Sequence, residues 1–179
     1  MYRPNILEYK KHENALPEIT DLVEKTALEL GIEYIGDHKL KDLSSALQKA
    51  KRKNGMESVF DIIRYTYILP EEDYVQKLLD VENILIARGA DIVALKNFWH
   101  LYLRRQYDAV HLLCKKDDIR FEIQCHTADS YQQKQNTHTY YKLIGNPKDA
   151  GKAFRDYQLP ERPYMAKQIR SYDFRSHRA

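Results

Sequence analysis

The chain has 179 residues, which is enough for one domain with a full hydrophobic core and too few to require two. Its 29 Lys and Arg residues nearly balance 26 Asp and Glu residues, so the net charge of +3 does not indicate a protein that coats nucleic acid. No run of about 18 apolar residues is present and the first residues contain no apolar core, so we expect a soluble chain without a membrane span or an export signal of its own.

The first predicted elements are a helix and a short strand. Residues before Pro17 are polar and are predicted to be irregular, whereas apolar residues recur at helical spacing from Pro17 to Gly31. Proline in the first turn and glycine after the last turn are typical of helix ends, so we predict a helix between them. Residues 32–37 are predicted to form a short strand or turn.

A second helix is predicted to begin at Asp42 or Ser44, either of which can cap it, and to end at about Lys53. One side of this helix is basic, and the residues on that side are Lys41, Ser45, Lys49 and Arg52.

Residues 59–69 are rich in β-branched and aromatic side chains and are predicted to form a strand with Asp61 at its start. A helix is predicted between Pro70 and Gly89, and residues 90–96 are predicted to form the next strand.

The segments 108–115 and 119–126 alternate polar and apolar residues around a two-residue loop, Asp117 and Asp118, which predicts a β-hairpin with one buried face. Cys114 and Cys125 then have different partners on the opposite strand. We therefore expect two free thiols, as in a reducing compartment.

The two-residue loop also fixes which residues of the hairpin are opposite one another. His111 is predicted to lie opposite Gln124, and Leu113 opposite Glu122. Tyr107 is predicted to share their polar face.

A last helix, from about Ser130 to Tyr141, places Lys134, His138 and Lys142 along one side. The order of the elements indicates an α+β fold with a mixed β-sheet flanked by helices. A carboxylate, a tyrosine, histidines, an amide and lysines are predicted to converge on one patch, which indicates a site for an anionic, phosphorylated ligand.

The same polar residues match known motifs in order along the chain. A basic motif that begins R-x-K-S and continues with a serine and a lysine is matched by Lys39, Lys41, Ser45 and Lys49. The strand motif D-I-x-G-x-R is matched by Asp61 and Ile62, with Arg64 at its glycine and Thr66 at its arginine.

The remaining motifs follow from the third predicted strand onward. The motif K-x-x-x-P-K-x-x-G-Y-x-S-x-H is matched by Lys96, Tyr107 and His111, with Arg104 or Arg105 near its second lysine. The motif E-x-Q-x-R-T is matched by Glu122, Gln124 and Thr127, with His126 at its arginine, and H-x-x-x-K is matched by His138 and Lys142.

Together these motifs resemble the synthetase domain of the RelA/SpoT-like alarmone synthetases. The departures at Arg64, Thr66 and His126 resemble a divergent branch that occurs as toxin domains of bacterial secreted proteins and in toxin-antitoxin loci. The resemblance implies a nucleotidyltransferase-like fold in a single domain over 1–179, with a core of about 17–142 and a C-terminal extension over 143–179.

The resemblance also implies an activity, the Mg²⁺-dependent transfer of a diphosphate from ATP to the 3′-hydroxyl of a purine nucleotide, with a (p)ppGpp or (p)ppApp type of product. The implied catalytic residues are Asp61, Glu122 and Gln124, and Asp61 and Glu122 are the implied Mg²⁺ ligands. The residues implied to bind ATP phosphates are Lys39, Lys41, Ser45, Lys49, Lys96, Arg104 and Arg105. The residues implied to bind the acceptor are Tyr107, His111, His138 and Lys142.

Two alternatives stay open. The basic second helix and the basic C-terminal tail favour transfer of the diphosphate to the 3′ end of a tRNA. Lys39 and Thr66, which replace arginines of the motifs, instead favour a catalytically inactive nucleotide-binding module. The divergent branch implies a growth-inhibiting toxin that acts in the cytoplasm, has an antitoxin or immunity protein, and reaches a target bacterial cell as part of a larger secreted protein. ATP and a purine nucleotide are the implied small-molecule partners, and no membrane partner is expected.

Overall fold

The computed structural model describes residues 6–36, 39–99 and 108–144, of which 137–144 are described as backbone only. Within these residues the chain forms four α-helices, which are α1 (Ile6–Leu30), α2 (Leu43–Arg52), α3 (Tyr74–Ala87) and α4 (Ala128–Ile144). A 3₁₀ turn, Met56–Ser58, follows α2. The five strands of the same residues are β1 (Glu33–Ile35), β2 (Ile63–Ile68), β3 (Asp91–Asn97), β4 (Val110–Lys116) and β5 (Ile119–His126). None of the described helices is both long and apolar enough to cross a membrane.

The strands form one mixed sheet in the order β1-β2-β5-β4-β3. The central strand, β5, is parallel to β2 and antiparallel to β4. The outer pairs, β1 with β2 and β3 with β4, are antiparallel. The predicted α+β fold with a mixed sheet flanked by helices is therefore confirmed.

One face of the sheet is apolar and packs against α1 and α3. Along β2, Ile63, Tyr65 and Tyr67 are buried in this core, and β5 contributes Phe121 and Ile123. Burial of each isoleucine or phenylalanine among them stabilises the fold by about 1.5–3 kcal/mol. Because side chains alternate along a strand, the residues between these positions lie on the opposite face, where the polar motif residues are collected.

A second, smaller apolar cluster holds α2 beside the start of β2. It consists of Tyr9, Ala46, Ala50, Met56, Val59 and Ile62, all of which are buried. Alanine at the two α2 positions allows the helix to approach this cluster closely, while Lys49 of the same helix reaches Asp61 just before β2. The cluster therefore positions the lysines that α2 and the segment before it carry.

The β4–β5 hairpin has the predicted register. His111 is opposite Gln124 and Leu113 is opposite Glu122. The two-residue loop has a positive φ at both positions, 46° at Asp117 and 67° at Asp118, as a type I′ turn requires. The cysteines, Cys114 and Cys125, are both free and buried, as predicted.

The predicted start of the first helix is wrong, because α1 begins at Ile6 and runs through Pro17. Proline removes one backbone hydrogen bond within a helix, but contacts made by the preceding turns offset this loss. Tyr9 and His12 are buried, and the Tyr9 hydroxyl donates to the Lys41 carbonyl oxygen over 2.8 Å. Glu8 forms an ion pair with Arg120 of β5.

Two other helix starts also differ from the predictions. The sheet continues to Leu69, whose N–H donates to the His126 carbonyl oxygen over 2.7 Å, so α3 begins at Tyr74 rather than just after Pro70. Helix α4 begins at Ala128 because Thr127 and Ser130 cap it reciprocally. The Thr127 N–H donates to Ser130 Oγ over 3.0 Å, and the Ser130 N–H donates to Thr127 Oγ1 over 3.3 Å.

Candidate active site

The polar face of the sheet places four side chains in a row across its strands. Lys96 of β3 is opposite His111 of β4, which is opposite Gln124 of β5, which in turn is next to Thr66 of β2. Glu122 lies two residues before Gln124 on the same face. Motif residues from four separate strands are therefore brought together by register alone.

Glu122 is the buried carboxylate at the centre of this face. Its Oε1 accepts a 2.7 Å hydrogen bond from Gln124 Nε2, and its Oε2 lies 3.5 Å from His111 Nδ1. Burial alone would raise the pKa of Glu122, but the hydrogen bonds from His111 and Gln124 and the positive charge of Arg64 hold this pKa below its ordinary value. Glu122 is therefore ionised at neutral pH.

His111 supports Glu122 as a neutral ring. Burial lowers the pKa of His111, and this effect outweighs the attraction of Glu122. The Phe98 ring packs edge-on against the imidazole, with 4.4 Å between ring centroids. His111 therefore acts on Glu122 through a hydrogen bond rather than through a full charge.

Asp61 is the second buried carboxylate, and it lies in the turn just before β2. Its Oδ2 accepts a 2.6 Å hydrogen bond from Lys49 Nζ and lies 3.3 Å from Lys41 Nζ. Helix α2 supplies Lys49. Lys41 is positioned by the chain before α2, because its N–H donates to the Ile62 carbonyl oxygen over 2.8 Å and its own carbonyl oxygen accepts from Tyr9.

Lys96 lies near both carboxylates. Partial desolvation and repulsion from Lys53 and Lys49 lower the pKa of Lys96, although the negative charges of Glu122 and Asp61 act in the opposite direction. Its side chain is exposed and so is available to a ligand. The structure thus places Lys41 and Lys49 at Asp61, with Lys96 close enough to feel the charge of both carboxylates.

Asp61 and Glu122 would offer carboxylate oxygens to a Mg²⁺ ion, with ligand phosphates and water as its other ligands. Asp61 Oδ1 is buried and accepts no hydrogen bond from the described residues, so one carboxylate oxygen is open to a cation. The part of the chain that the structure describes contains no group of three or more His, Cys, Asp or Glu side chains able to hold a metal. Few carboxylates, with water and phosphate oxygens as the other ligands, suit Mg²⁺.

Two residues predicted to bind ATP phosphates contact groups other than Asp61 and Glu122. Lys39 Nζ is 3.1 Å from Glu24 Oε1 and 5.4 Å from the centre of the Tyr34 ring. Ser45 is in the first turn of α2, where its N–H donates to the capping Asp42 carboxylate over 2.9 Å. The predicted roles of Lys39 and Ser45 stay predictions.

Several other predicted site residues cannot be placed relative to Glu122. Arg104, Arg105 and Tyr107 lie outside the described residues. His138 and Lys142 are within α4, in the part whose side chains are not described.

The structure places two further cations beside Glu122 and Gln124, namely Arg64 and Lys134, of which Lys134 was predicted to lie on the polar side of the last helix. In the parallel pairing of β2 with β5, Arg64 is next to Glu122. Lys134 Nζ donates to Gln124 Oε1 over 2.6 Å. The sequence signals are that Arg64 alternates with the buried Ile63 and Tyr65 and that Lys134 belongs to the polar side of the last helix.

His126 occupies the position of the motif arginine, yet it is buried and bonded to its own helix cap. Its Nδ1 lies 3.1 Å from Ser130 Oγ. Burial, with the charge of Lys134 acting in the same direction, holds the pKa of His126 well below its ordinary value. His126 therefore carries no positive charge at neutral pH.

No protein-family model and no curated protein matches the sequence. Several solved structures are nevertheless similar. The small alarmone synthetase 1 of Bacillus subtilis, bound to its product pppGpp, is 18% identical over 76% of this chain and 79% of that chain, with a TM-score of 0.60. The type VI effector Tas1, in complex with its immunity protein, is 20% identical over 96% of both chains, with a TM-score of 0.57.

A GTP pyrophosphokinase family protein from Streptococcus pneumoniae is 17% identical over 88% of this chain and 83% of that chain, with a TM-score of 0.63. These likenesses show that the chain has the fold of the RelA/SpoT-like alarmone synthetases and of the Tas1 effector. The fold implied by the sequence motifs is therefore confirmed.

Proposed function

We propose that this chain, which has the fold of the alarmone synthetases, transfers a diphosphate from ATP to the 3′-hydroxyl of a purine nucleotide. The observation that carries the proposal is Glu122, an ionised carboxylate buried among cations on the polar face of the sheet. Burial of a carboxylate without compensation is costly, so a site that keeps one ionised is suited to chemistry with charged groups.

In the proposed reaction the acceptor 3′-oxygen bonds to the β-phosphorus of ATP, the bond from that phosphorus to the oxygen that bridges it to the α-phosphorus breaks, and AMP leaves. The hydroxyl proton passes to Glu122. A phosphoryl transition state of this kind is loose, so little proton transfer is required early, and a carboxylate of low pKa can orient the hydroxyl and accept the proton late. Gln124 and His111 fix the position of that carboxylate.

The basic residues around Asp61 would bind the transferred phosphates. Lys41, Lys49 and Lys96 supply positive charge at the point where negative charge has to be stabilised. Mg²⁺ held by Asp61 and Glu122 would neutralise further phosphate charge. Binding of ATP would release Lys41 and Lys49 from their present contact with Asp61, so that each lysine could serve a phosphate oxygen.

The similarity to Tas1 over nearly the whole of both chains supports a role as a growth-inhibiting bacterial toxin. In that role the chain would consume ATP in a target cell, and an immunity protein or antitoxin would protect the cell that makes it.

The test is an incubation of the protein with γ-labelled ATP, Mg²⁺ and separate pools of guanosine nucleotides, adenosine nucleotides and tRNA. We expect label in a purine nucleotide product, and Glu122→Gln should lower its formation by roughly a hundredfold or more, as is typical when a stabiliser of the transition state is removed. Glu72→Gln, which makes the same chemical change at an exposed turn, is the matched control. Transfer by Glu122→Gln at the wild-type rate would remove Glu122 from the mechanism.

A second acceptor is favoured by one observation, the exposed basic end of α2, formed by Lys51, Arg52 and Lys53. Such a patch can contact the backbone of an RNA. Label in the tRNA pool, with none in the nucleotide pools, would support transfer to a tRNA 3′ end. Binding of ATP with no label in any pool would instead support an inactive nucleotide-binding module.

A further inference from the structure

We infer that Arg64 and Lys134 form a phosphate-binding pair beside Glu122, which holds a 5′-phosphate of the acceptor nucleotide. This inference rests on the proposed function. It assigns the specificity of the site for a phosphorylated acceptor to two residues that match no motif letter, since Arg64 stands at the glycine of the strand motif and Lys134 lies between two motifs.

Arg64 is directed to the polar face by the strand that carries it. Ile63 and Tyr65, its neighbours on β2, are buried in the core on the other face, and β2 is fixed next to β5 by their parallel pairing. The Arg64 N–H donates to the Lys39 carbonyl oxygen over 2.8 Å, which fixes the backbone on the other side. The half-buried guanidinium therefore belongs to the surroundings of Glu122 and lowers the pKa of that carboxyl.

Lys134 reaches the same region from a different element. Helix α4 begins directly after β5 and carries Lys134 back over the strand, where Nζ donates to the neutral amide oxygen of Gln124 over 2.6 Å. The stem crosses the Tyr131 ring, with Nζ 5.3 Å from its centre. Desolvation, with repulsion from Arg64, lowers the pKa of Lys134 to about 8, although Glu122 acts in the opposite direction.

Two cations that repel each other in a half-buried location favour an anion that can contact both. A phosphate group has several oxygens and up to two charges, so it can accept from the planar guanidinium and the ammonium at once. Glu122 already accepts from Gln124 and lies against His111. A ligand phosphate would thus balance the positive charges of Arg64 and Lys134.

The position of Arg64 and Lys134 indicates that they bind the phosphates of the acceptor rather than those of ATP. The ATP phosphates have their own lysines, Lys41 and Lys49, at Asp61. The acceptor must bring its 3′-hydroxyl to Glu122, so its 5′-phosphates have to lie within one nucleoside length of that carboxylate. Arg64 next to Glu122 on β2 and Lys134 on α4 are placed to meet them.

The test compares acceptors with and without a 5′-phosphate, namely guanosine and adenosine diphosphates and the corresponding nucleosides. Lys134→Met, which keeps the length of the stem, and Arg64→Gln should each raise the KM for the phosphorylated acceptor by about tenfold to a hundredfold, as expected for loss of a hydrogen bond to a charged group. The KM for ATP and the KM for unphosphorylated nucleosides should stay within about twofold. Lys134→Arg should restore most of the loss.

Lys25→Met is the matched control, because it also removes one lysine charge, at an exposed site on α1 that pairs only with Asp21 among the described residues. Equal losses with nucleotides and nucleosides in Lys134→Met would indicate a structural role and overturn the inference. A rise in the KM for ATP alone would assign the pair to the donor and also overturn it.

Equilibrium titration separates this inference from the proposed function. If the wild-type protein transfers no label, it should still bind the diphosphates more tightly than the nucleosides, and Lys134→Met and Arg64→Gln should remove that difference. Wild-type protein that binds nucleosides and diphosphates equally would overturn the phosphate-binding pair, whatever the outcome of the transfer assay.

Discussion

Asp61 is held in place by two lysines, which are also the residues proposed to bind the phosphates of ATP. Its carboxylate is buried, and Lys41 and Lys49 approach the same oxygen, Oδ2. A buried ion pair contributes little net stability compared with apolar packing, but removal of one partner leaves the other charge uncompensated. The lysines therefore have a structural effect that can be measured without any ligand.

We expect Lys49→Met to lower the free energy of unfolding by about 1–3 kcal/mol, because it leaves Asp61 buried with only the longer contact to Lys41. The double variant Lys49→Met with Asp61→Asn should recover a large part of this loss, since the uncompensated charge is gone. Urea denaturation of the two single variants and the double variant measures the coupling. Additive losses would show that Lys49 and Asp61 do not interact.

The sequence identifies single site residues where a motif contains them. It does not identify residues that only tertiary packing brings to the site. Asp61, Glu122 and Gln124 were identified from motif letters and lie on or beside the polar face of the sheet. Arg64 and Lys134 were not, because a role for either depends on which strand lies next to β5 and on where α4 crosses it. Thr66 and His126 stand at arginines of the motifs, whereas in this chain Arg64 lies next to Glu122 and Lys134 contacts Gln124.

Among the elements, the β4–β5 hairpin was the one most completely predicted. Alternation of polar and apolar residues defined its faces, and the two-residue loop defined its register. Helix α1 is less predictable from its sequence, because proline is typical of a first helical turn whereas Pro17 lies within this helix. The buried Tyr9 and His12 continue the helical spacing of the later apolar residues, so the pattern for the first turns was present but was interrupted by proline.

The hairpin turn gives a prediction of its own. Asp118 has a φ of 67°, a conformation that glycine adopts more readily than aspartate. Asp118→Gly should therefore stabilise the fold by about 0.5–1 kcal/mol, with a small offset from the loss of the exposed ion pair with Lys115. Asp118→Val should lower stability, because a β-branched residue is strained there. Thermal unfolding of both variants gives the comparison, and the same direction of change in both would contradict the turn geometry.

At the scale of the whole molecule, three buried histidines link the stability of the fold to pH. Burial lowers the pKa of His12, His111 and His126 below the ordinary value of 6.5. His12 shows the cause directly, because its Nδ1 donates to the Glu8 carbonyl oxygen over 2.8 Å while its Nε2 accepts from the Arg120 N–H over 3.3 Å. Only a neutral ring can do both.

The sign of the effect follows from the lowered pKa values. The unfolded chain takes up protons on these histidines near pH 6.5, whereas the folded chain does so only at lower pH, so stability is present above pH 6.5 and is lost as pH falls below it. Each histidine contributes up to about 1.4 kcal/mol per pH unit. Urea midpoints at pH 7.5, 6.5 and 5.5 should fall steeply over the last interval, and His12→Gln should reduce that slope. Equal midpoints at the three pH values would contradict the neutral histidines.

The candidate site can form only late in synthesis of the chain, because its residues are far apart in the sequence. The parallel pairing joins Ile63 to Phe121 and Arg64 to Glu122, and everything from α3 to β4 lies between them. A chain still under synthesis therefore carries Asp61 and its lysines long before it carries Glu122, and such distant strands pair late because a long loop must close first. An unfinished chain on the ribosome holds only half of the candidate site, so a cell that makes this protein contains the assembled site only once β5 has been completed and has docked against β2.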